Sequence, residues 1–256
     1  MVRLEQHALA AAGDLYEKQP AFFPLIGAVL RGDQDGEVLC DQGDSPRAFY
    51  AEHSFGFAQV FGAVGREFQD ALRWHLIVKK LFRAPKVRLY TPEEPAFLRA
   101  AEFDALHSER QRFVADGTVP FAAISNGSVE VRPLEANDLS RLSPALVDVT
   151  RFWRTTEDFL ARALAVVAWR GGEAASICYA AAVAGGRAEI DVATAPEARR
   201  SGLGKAVVTA FAQGCRSAGV TPVWDCFTNN SGSMALARSC GFLPAGPAYP
   251  FYTIPK

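Results

Sequence analysis

The sequence is poor in the residue types that build metal and disulfide sites. Its four histidines (His7, His53, His75, His107) form no ligand-spaced cluster, so no metal is expected. The cysteines Cys40, Cys178, Cys215, Cys226 and Cys240 are odd in number and contain no Cys-x-x-Cys pair. That argues against a disulfide framework and fits a reducing, cytoplasmic setting. Long apolar runs are missing as well: the stretch 21–30 is interrupted by Pro24 and Gly27 and is too short to cross a bilayer. The opening Met-Val-Arg-Leu-Glu-Gln-His lacks the basic-then-apolar plan of a signal peptide. Finally, no sign of charge dominates: 27 Lys and Arg stand against 28 Asp and Glu, a net charge of −1. Neither nucleic acid nor a membrane is expected as a partner on that balance.

What is present is a globular composition, 49% hydrophobic and 21% charged over 256 residues, enough for one large domain or two ordinary ones. The first half reads as helix over 3–18, an apolar run to Leu30, and three short strands at 37–41, 48–53 and 55–61. A helical spacing follows through Phe68, Leu72, His75, Leu76 and Leu81, then a strand at 87–90. Pro92 and Pro95 lead into what reads as a charged helix ending near Val114. The small, polar Ser125-Asn-Gly-Ser128 is the expected boundary, giving domains 1–125 and 126–256.

Beyond it, a strand at 129–133 and helices at 135–142 and 156–164 precede three strands, at 165–169, 174–183 and 189–194. Gly171-Gly172 and Gly185-Gly186 join those strands, as tight turns join an antiparallel meander. A helix over 203–218 follows, with Leu203, Ala206, Val207, Phe211 and Cys215 on one face and Gly219 at its stop. A strand at 222–226, a helix at 230–240 and a β-prone tail at 243–254 complete the chain. Antiparallel strands in runs, with helices inserted, define an α+β architecture.

The segment Arg199-Arg200-Ser201-Gly202-Leu203-Gly204-Lys205 sits between a strand and a strongly amphipathic helix. Glycines let the backbone turn and present successive N–H groups, and the helix adds its unpaired amides and dipole. Three cations complete a pyrophosphate cradle. It is no P-loop, because Arg199 stands where the first glycine belongs and Ala206 follows the lysine. Nor is it a dinucleotide fingerprint, because Val207 occupies the third small position.

Arg199-x-x-Gly202-x-Gly204, after the strand 189–194, resembles the acyl-CoA loop of the GNAT superfamily. Asn230-x-x-Ser233 and Gly241-Phe242 match the second motif of that family downstream. The resemblance covers about 129–254 and implies a GNAT fold, a mixed and mostly antiparallel central sheet flanked by helices. Residues 194–204 and 222–226 are similar to the zwittermicin A resistance acetyltransferase-type subgroup, whose members carry an extra N-terminal domain. The N-terminal half, itself α+β, echoes the order of elements in a GNAT domain, as a degenerate tandem copy would. It lacks the loop spacing after Phe61, where Gly62-Ala-Val-Gly65 stands. Tyr50, His53, Phe55 and Trp74 in that half read as cleft-lining residues or as core.

The resemblance implies acetyl-CoA as cosubstrate, with no metal, and an acyltransferase acting on an amine. Arg199, Arg200, Ser201, Gly202, Leu203, Gly204 and Lys205 would hold the diphosphate. The backbone of Val192, Ala193 and Thr194 would pair with pantetheine as an added strand. The N–H of Val192 would serve as oxyanion donor. Asn230 and Ser233 would bond CoA, although Asn230 reads equally as a helix cap. Many members carry a tyrosine acid seven residues after that asparagine; here Ala237 stands there, leaving Cys240 or Tyr249 as substitutes. From the residues themselves, Glu189 and Asp191 on one strand face, and Asp225 on the next strand, are candidate bases. A solvated strand face or an ion pair is the competing reading of those carboxylates. The expected acceptor is a small-molecule amine, and a homodimer is compatible with the sequence. The rivals are a non-catalytic acyl-CoA-binding module and an acyltransferase for protein amines.

Overall fold

The computed structural model describes residues 1–115 and 129–256; the expected boundary at 125–128 lies outside them. The chain divides into two compact units, 1–110 with 248–256, and 111–247. In chain order the first half comprises β1 (Val2–Arg3), α1 (Leu9–Glu17), α2 (Pro24–Leu30), β2 (Gly36–Cys40), β3 (Ala48–His53), β4 (Phe57–Gly62), α3 (Arg66–Arg73), β5 (Lys86–Tyr90) and β6 (His107–Ala115). Then come β7 (Val129–Pro133), α4 (Thr156–Arg162), β8 (Val166–Arg170), β9 (Glu173–Ala184), β10 (Arg187–Thr194), α5 (Leu203–Ser217), β11 (Thr221–Phe227), α6 (Ser231–Ser239), β12 (Phe242–Pro244) and β13 (Tyr249–Pro255). Both units are α+β.

In the first unit the strand order is β1-β2-β3-β4-β5-β13-β6. Its strand pairs are antiparallel except β4 with β5, which run parallel across the α3 connection. Parallel neighbours need a crossover, and α3 with the π-helical turn Trp74–Val78 supplies it. Tyr50, Ala58 and Val60 from the sheet pack against Phe68, Leu72 and Leu76, with Tyr252 and Ile254 of β13 in the same core.

In the second unit β7 to β10 form an antiparallel meander, and β11 follows α5 to lie parallel to β10. The turns at Gly171-Gly172 and Gly185-Gly186 have positive φ at both positions, which only glycine adopts without strain and which a two-residue hairpin of this twist requires. The buried face of α5, including Leu203, Val207, Phe211 and Cys215, packs on Cys178, Ala180, Ala188 and Ile190. Thr155 caps α4 by accepting the Asp158 N–H at 3.1 Å.

The charged helix expected up to Val114 is absent. Short 3-10 turns at Ala96–Arg99 and Ala101–Leu106 lead into β6. Strand geometry wins because β6 finds partners: 107–110 pair with β13, and 113–115 pair with β12. The tail likewise divides. Strand β12 stays with the second unit, whereas β13 pairs with β5 and belongs to the first. At the N-terminus, Val2 and Arg3 pair with Leu39 and Cys40, and the helix expected from Arg3 starts at Leu9. Tyr50 and His53 are fully buried, which makes them core; Trp74 is exposed.

Candidate active site

Strand β10 is held on its β9 side along its whole length, from Arg187 to Thr194. On the β11 side its pairing stops at Glu189, opposite Val223. From Ile190 onward the two strands splay, and the backbone of Val192, Ala193 and Thr194 lines a groove of about 1120 Å³. Thr194 is fixed from below: Ser176 Oγ lies 2.8 Å from its Oγ1 and donates to Ala193 O at 2.9 Å.

The groove continues over the loop to α5. Arg200 (φ 59°) and Gly202 (φ 83°) are both left-handed, so the chain reverses twice within three residues. Alternating left- and right-handed residues turn successive amides to one side and form an anion-binding concavity. The Ser201 hydroxyl pins the turn, donating to Ala198 O at 2.5 Å and accepting from Arg170 Nη2 at 2.9 Å. The first intrahelical bond of this turn is Ala206 N–H to Gly202 O, at 3.0 Å. The amides of Leu203, Gly204 and Lys205 precede it, at the positive end of the helix dipole. Gly204 packs closely: a Cβ there would meet Thr194 Oγ1 at 3.3 Å and Leu236 Cδ2 at 3.4 Å.

The far wall is the start of α6. Asn230 caps that helix, its Oδ1 accepting the Ser233 N–H at 3.0 Å, and Ser233 Oγ accepts from Trp224 Nε1 at 3.0 Å. The structure therefore brings Val192, Ala193, Thr194, Arg199, Arg200, Gly202, Leu203, Gly204, Lys205, Asn230 and Ser233 onto one groove. Ser201 supports it from the loop without lining it. Sequence reasoning missed Ser143, Ala145 and Leu146, and Glu173 and Ala174 of the β8–β9 hairpin, which line the same groove. Hairpin register could have found the last two, since Thr194 stands opposite Ser176.

The three carboxylates lie elsewhere. Asp225 has a fully buried side chain and is bonded by Arg112 Nε at 2.9 Å, an ion pair 113 residues apart in sequence. Glu189 is 4% exposed. Asp191 is about a third exposed; it accepts a 2.6 Å hydrogen bond from Tyr179 OH and stands 3.6 Å from Arg151 Nη1. Burial, with the negative Asp191 beside it, holds the Tyr179 phenol well above its ordinary pKa. None of the three carboxylates lines the groove. Ala237 is fully buried in the α5 core, Cys240 is 3% exposed there, and Tyr249 packs against Phe23 and Tyr90 in the other unit. All five cysteines are buried and free. Burial pushes the Cys215 thiol up to about 12 and raises Cys178 and Cys240, which keeps these thiols neutral. Among the described residues no cluster of His, Cys, Asp or Glu is arranged to hold a metal ion, and no helix is long and apolar enough to cross a membrane.

The site is thus a splayed mixed sheet beside a helix N-terminus, with a loop holding two left-handed residues between them. A family model described as GNAT acetyltransferase matches residues 24–252. The chain belongs to the GNAT acetyltransferase family. Over 91 residues it is 32% identical to an uncharacterized N-acetyltransferase, YdfB, of Bacillus subtilis (strain 168). That match covers 36% of this chain and 35% of the relative, so the chain spans about a third of the length of that curated protein. Its fold is similar to that of a GCN5-related N-acetyltransferase-like protein from Streptococcus suis 89/1591, with TM-score 0.68 and 20% identity over 96% of this chain and 98% of that one. It is also similar to a tandem GNAT protein from the clavulanic acid biosynthesis pathway, with TM-score 0.69 and 14% identity over 98% and 97%.

Proposed function

We propose that the second unit binds acetyl-CoA and transfers the acetyl group directly to a primary amine of a small molecule, within one ternary complex. The observation that carries this reading is the free edge of β10 past Glu189, running into the left-handed loop 199–202. An extended chain of amides fits the first, and a diphosphate fits the second. Arg199, Arg200 and Lys205 add positive charge around the loop. The N–H of Val192 faces the position where the thioester oxygen gains charge as the amine attacks. Asp191, one residue earlier and partly exposed, lies outside the groove lining and is the carboxylate proposed to take up the proton the amine gives up, from the side of the strand where Tyr179 and Arg151 stand. Glu189 and Asp225, both buried, are assigned structural roles. The C–S bond then breaks, and the CoA thiolate leaves and takes its proton from water, since a thiol pKa of about 8.5 makes it a tolerable leaving group.

We read residues 194–204 and 222–226 as similar to the zwittermicin A resistance-type subgroup, and a cytoplasmic setting suits the free thiols. A second reading, acyl-CoA binding without turnover, is favoured by the buried Ala237 at the position of the usual tyrosine acid. Thiol release from acetyl-CoA with a panel of amines tests the first against the second. Release with at least one amine supports transfer; tight CoA binding with no release across the panel supports the binding module.

A further inference from the structure

The near-neutral balance of the chain conceals a local asymmetry. Between Ala71 and Pro92 there is no acidic residue, yet Arg73, Lys79, Lys80, Arg83, Lys86 and Arg88 all fall there. The same segment holds three large apolar side chains open to solvent: Trp74 at 49%, Val78 at 55% and Leu81 at 52%. Trp74 and Val78 lie on the π-helical turn, and Leu81 follows it, its N–H closing back on His75 O at 3.0 Å. Lys79 Nζ sits 5.7 Å from the centroid of the Trp74 ring. Lys79, Arg83 and Lys86 are exposed and Lys80 half-buried. Exposed apolar side chains interleaved in one short segment with exposed cations make it amphipathic, and none of these residues lines the groove of the second unit.

The occupant follows from sign and size. A second copy docking by this same face would set cations against cations. A stable protein interface needs about 800 Å² per partner, whereas three half-exposed side chains offer on the order of 300 Å². A small exposed apolar set within a segment that carries only basic charge matches reversible attachment to an anionic bilayer, where apolar residues enter the interface and each basic residue adds attraction at short range.

We propose that the segment from Trp74 to Lys86 docks this protein reversibly onto an anionic lipid surface. Trp74, Val78 and Leu81 enter the head-group boundary, and Lys79, Lys80, Arg83 and Lys86 face the lipid phosphates. The expectation of no membrane partner was drawn from overall charge; this proposal sets a local, peripheral attachment against it. The full chain sedimented with vesicles of phosphatidylcholine and phosphatidylglycerol, against phosphatidylcholine alone, tests it. Binding is expected only to the anionic vesicles, and is lost by about 0.5 M salt, where screening is nearly complete. Trp153, Trp169 and Trp224 are buried, so a blue shift of tryptophan emission on binding reports Trp74. Lys79→Glu with Lys80→Glu lowers vesicle affinity about a hundredfold, and Trp74→Ala about tenfold, with acetyl-CoA binding and thermal unfolding unchanged. Equal binding to neutral vesicles, no binding at low salt, or affinity untouched by these variants overturns the proposal. Capture of an acidic protein through the same residues without vesicle binding would also overturn it.

Discussion

The two units share one scheme and differ where it matters for chemistry. Each has an antiparallel run ending in a strand that pairs parallel with the strand after the next helix. In the first, Ala63-Val64-Gly65 lead straight from β4 to an 8-residue helix, and the capping Gly65 has an ordinary φ of −80°. In the second, residues 195–202 intervene, two of them left-handed, before a 15-residue helix. Sheet topology is thus common property, and the two units differ in the length and handedness of one loop, on which the proposed diphosphate site rests. Buried charge follows a parallel contrast. In the second unit Asp225 is neutralised by Arg112 and Asp138 by Arg132 and Arg141. In the first, Glu52 is bonded by a tyrosine hydroxyl, Tyr50 OH, at 2.9 Å.

Four sets of substitutions break or sharpen this comparison. The largest effect is expected at Gly202→Asp, which sets a carboxylate in the cradle; acetyl-CoA affinity by calorimetry should fall about a hundredfold or more. Gly202→Asn, which tolerates the left-handed φ without the charge, should lose less than about tenfold. Next, Arg112→Met removes the cation of a fully buried carboxylate and should cost about 3 kcal/mol in denaturant unfolding. Adding Asp225→Leu should recover most of that loss, an outcome a catalytic Asp225 does not require. Third is Glu52, whose carboxyl is pushed up to about 7 by burial, against the Tyr50 hydrogen bond that lowers it. With the folded value above the ordinary 4.5, its contribution to stability is full below about 4.5 and lost as pH rises through about 7. Glu52→Gln should therefore gain about 3 kcal/mol over the parent near pH 8 and nothing near pH 4. The smallest pair contrasts two glycines. Gly204→Ala should cost about 1 kcal/mol, because its Cβ crowds Thr194 and Leu236. Gly65→Ala, with nothing within 4 Å, should stay within about 0.5 kcal/mol.

Much of the second unit was legible because its signals are local. Paired glycines announce the two hairpins, and alternating glycines before an amphipathic helix announce the loop. Asn230 was legible as cap and as groove residue, and it is both. What stayed hidden depends on partners distant in sequence. Strand β13 pairs with β5 across more than half of the chain, and no local pattern encodes that. The residues of β6 are charged and follow two prolines, so they read as helix until β12 and β13 supply the ladder. The ion pair of Asp225 is hidden for the same reason. The Tyr179–Asp191 contact was hidden too: the Gly185-Gly186 turn alone would set Asp191 opposite Ala180, and the register shift between Glu189 and Ile190 brings it opposite Tyr179.

The central claim is most directly tested by a crystal structure of the full chain with CoA. The account predicts the diphosphate within hydrogen-bond distance of the backbone amides between Arg200 and Lys205, with pantetheine running along Val192 to Thr194. Diphosphate density anywhere else on the chain, above all beside Ala63-Val64-Gly65 in the first unit, would contradict it.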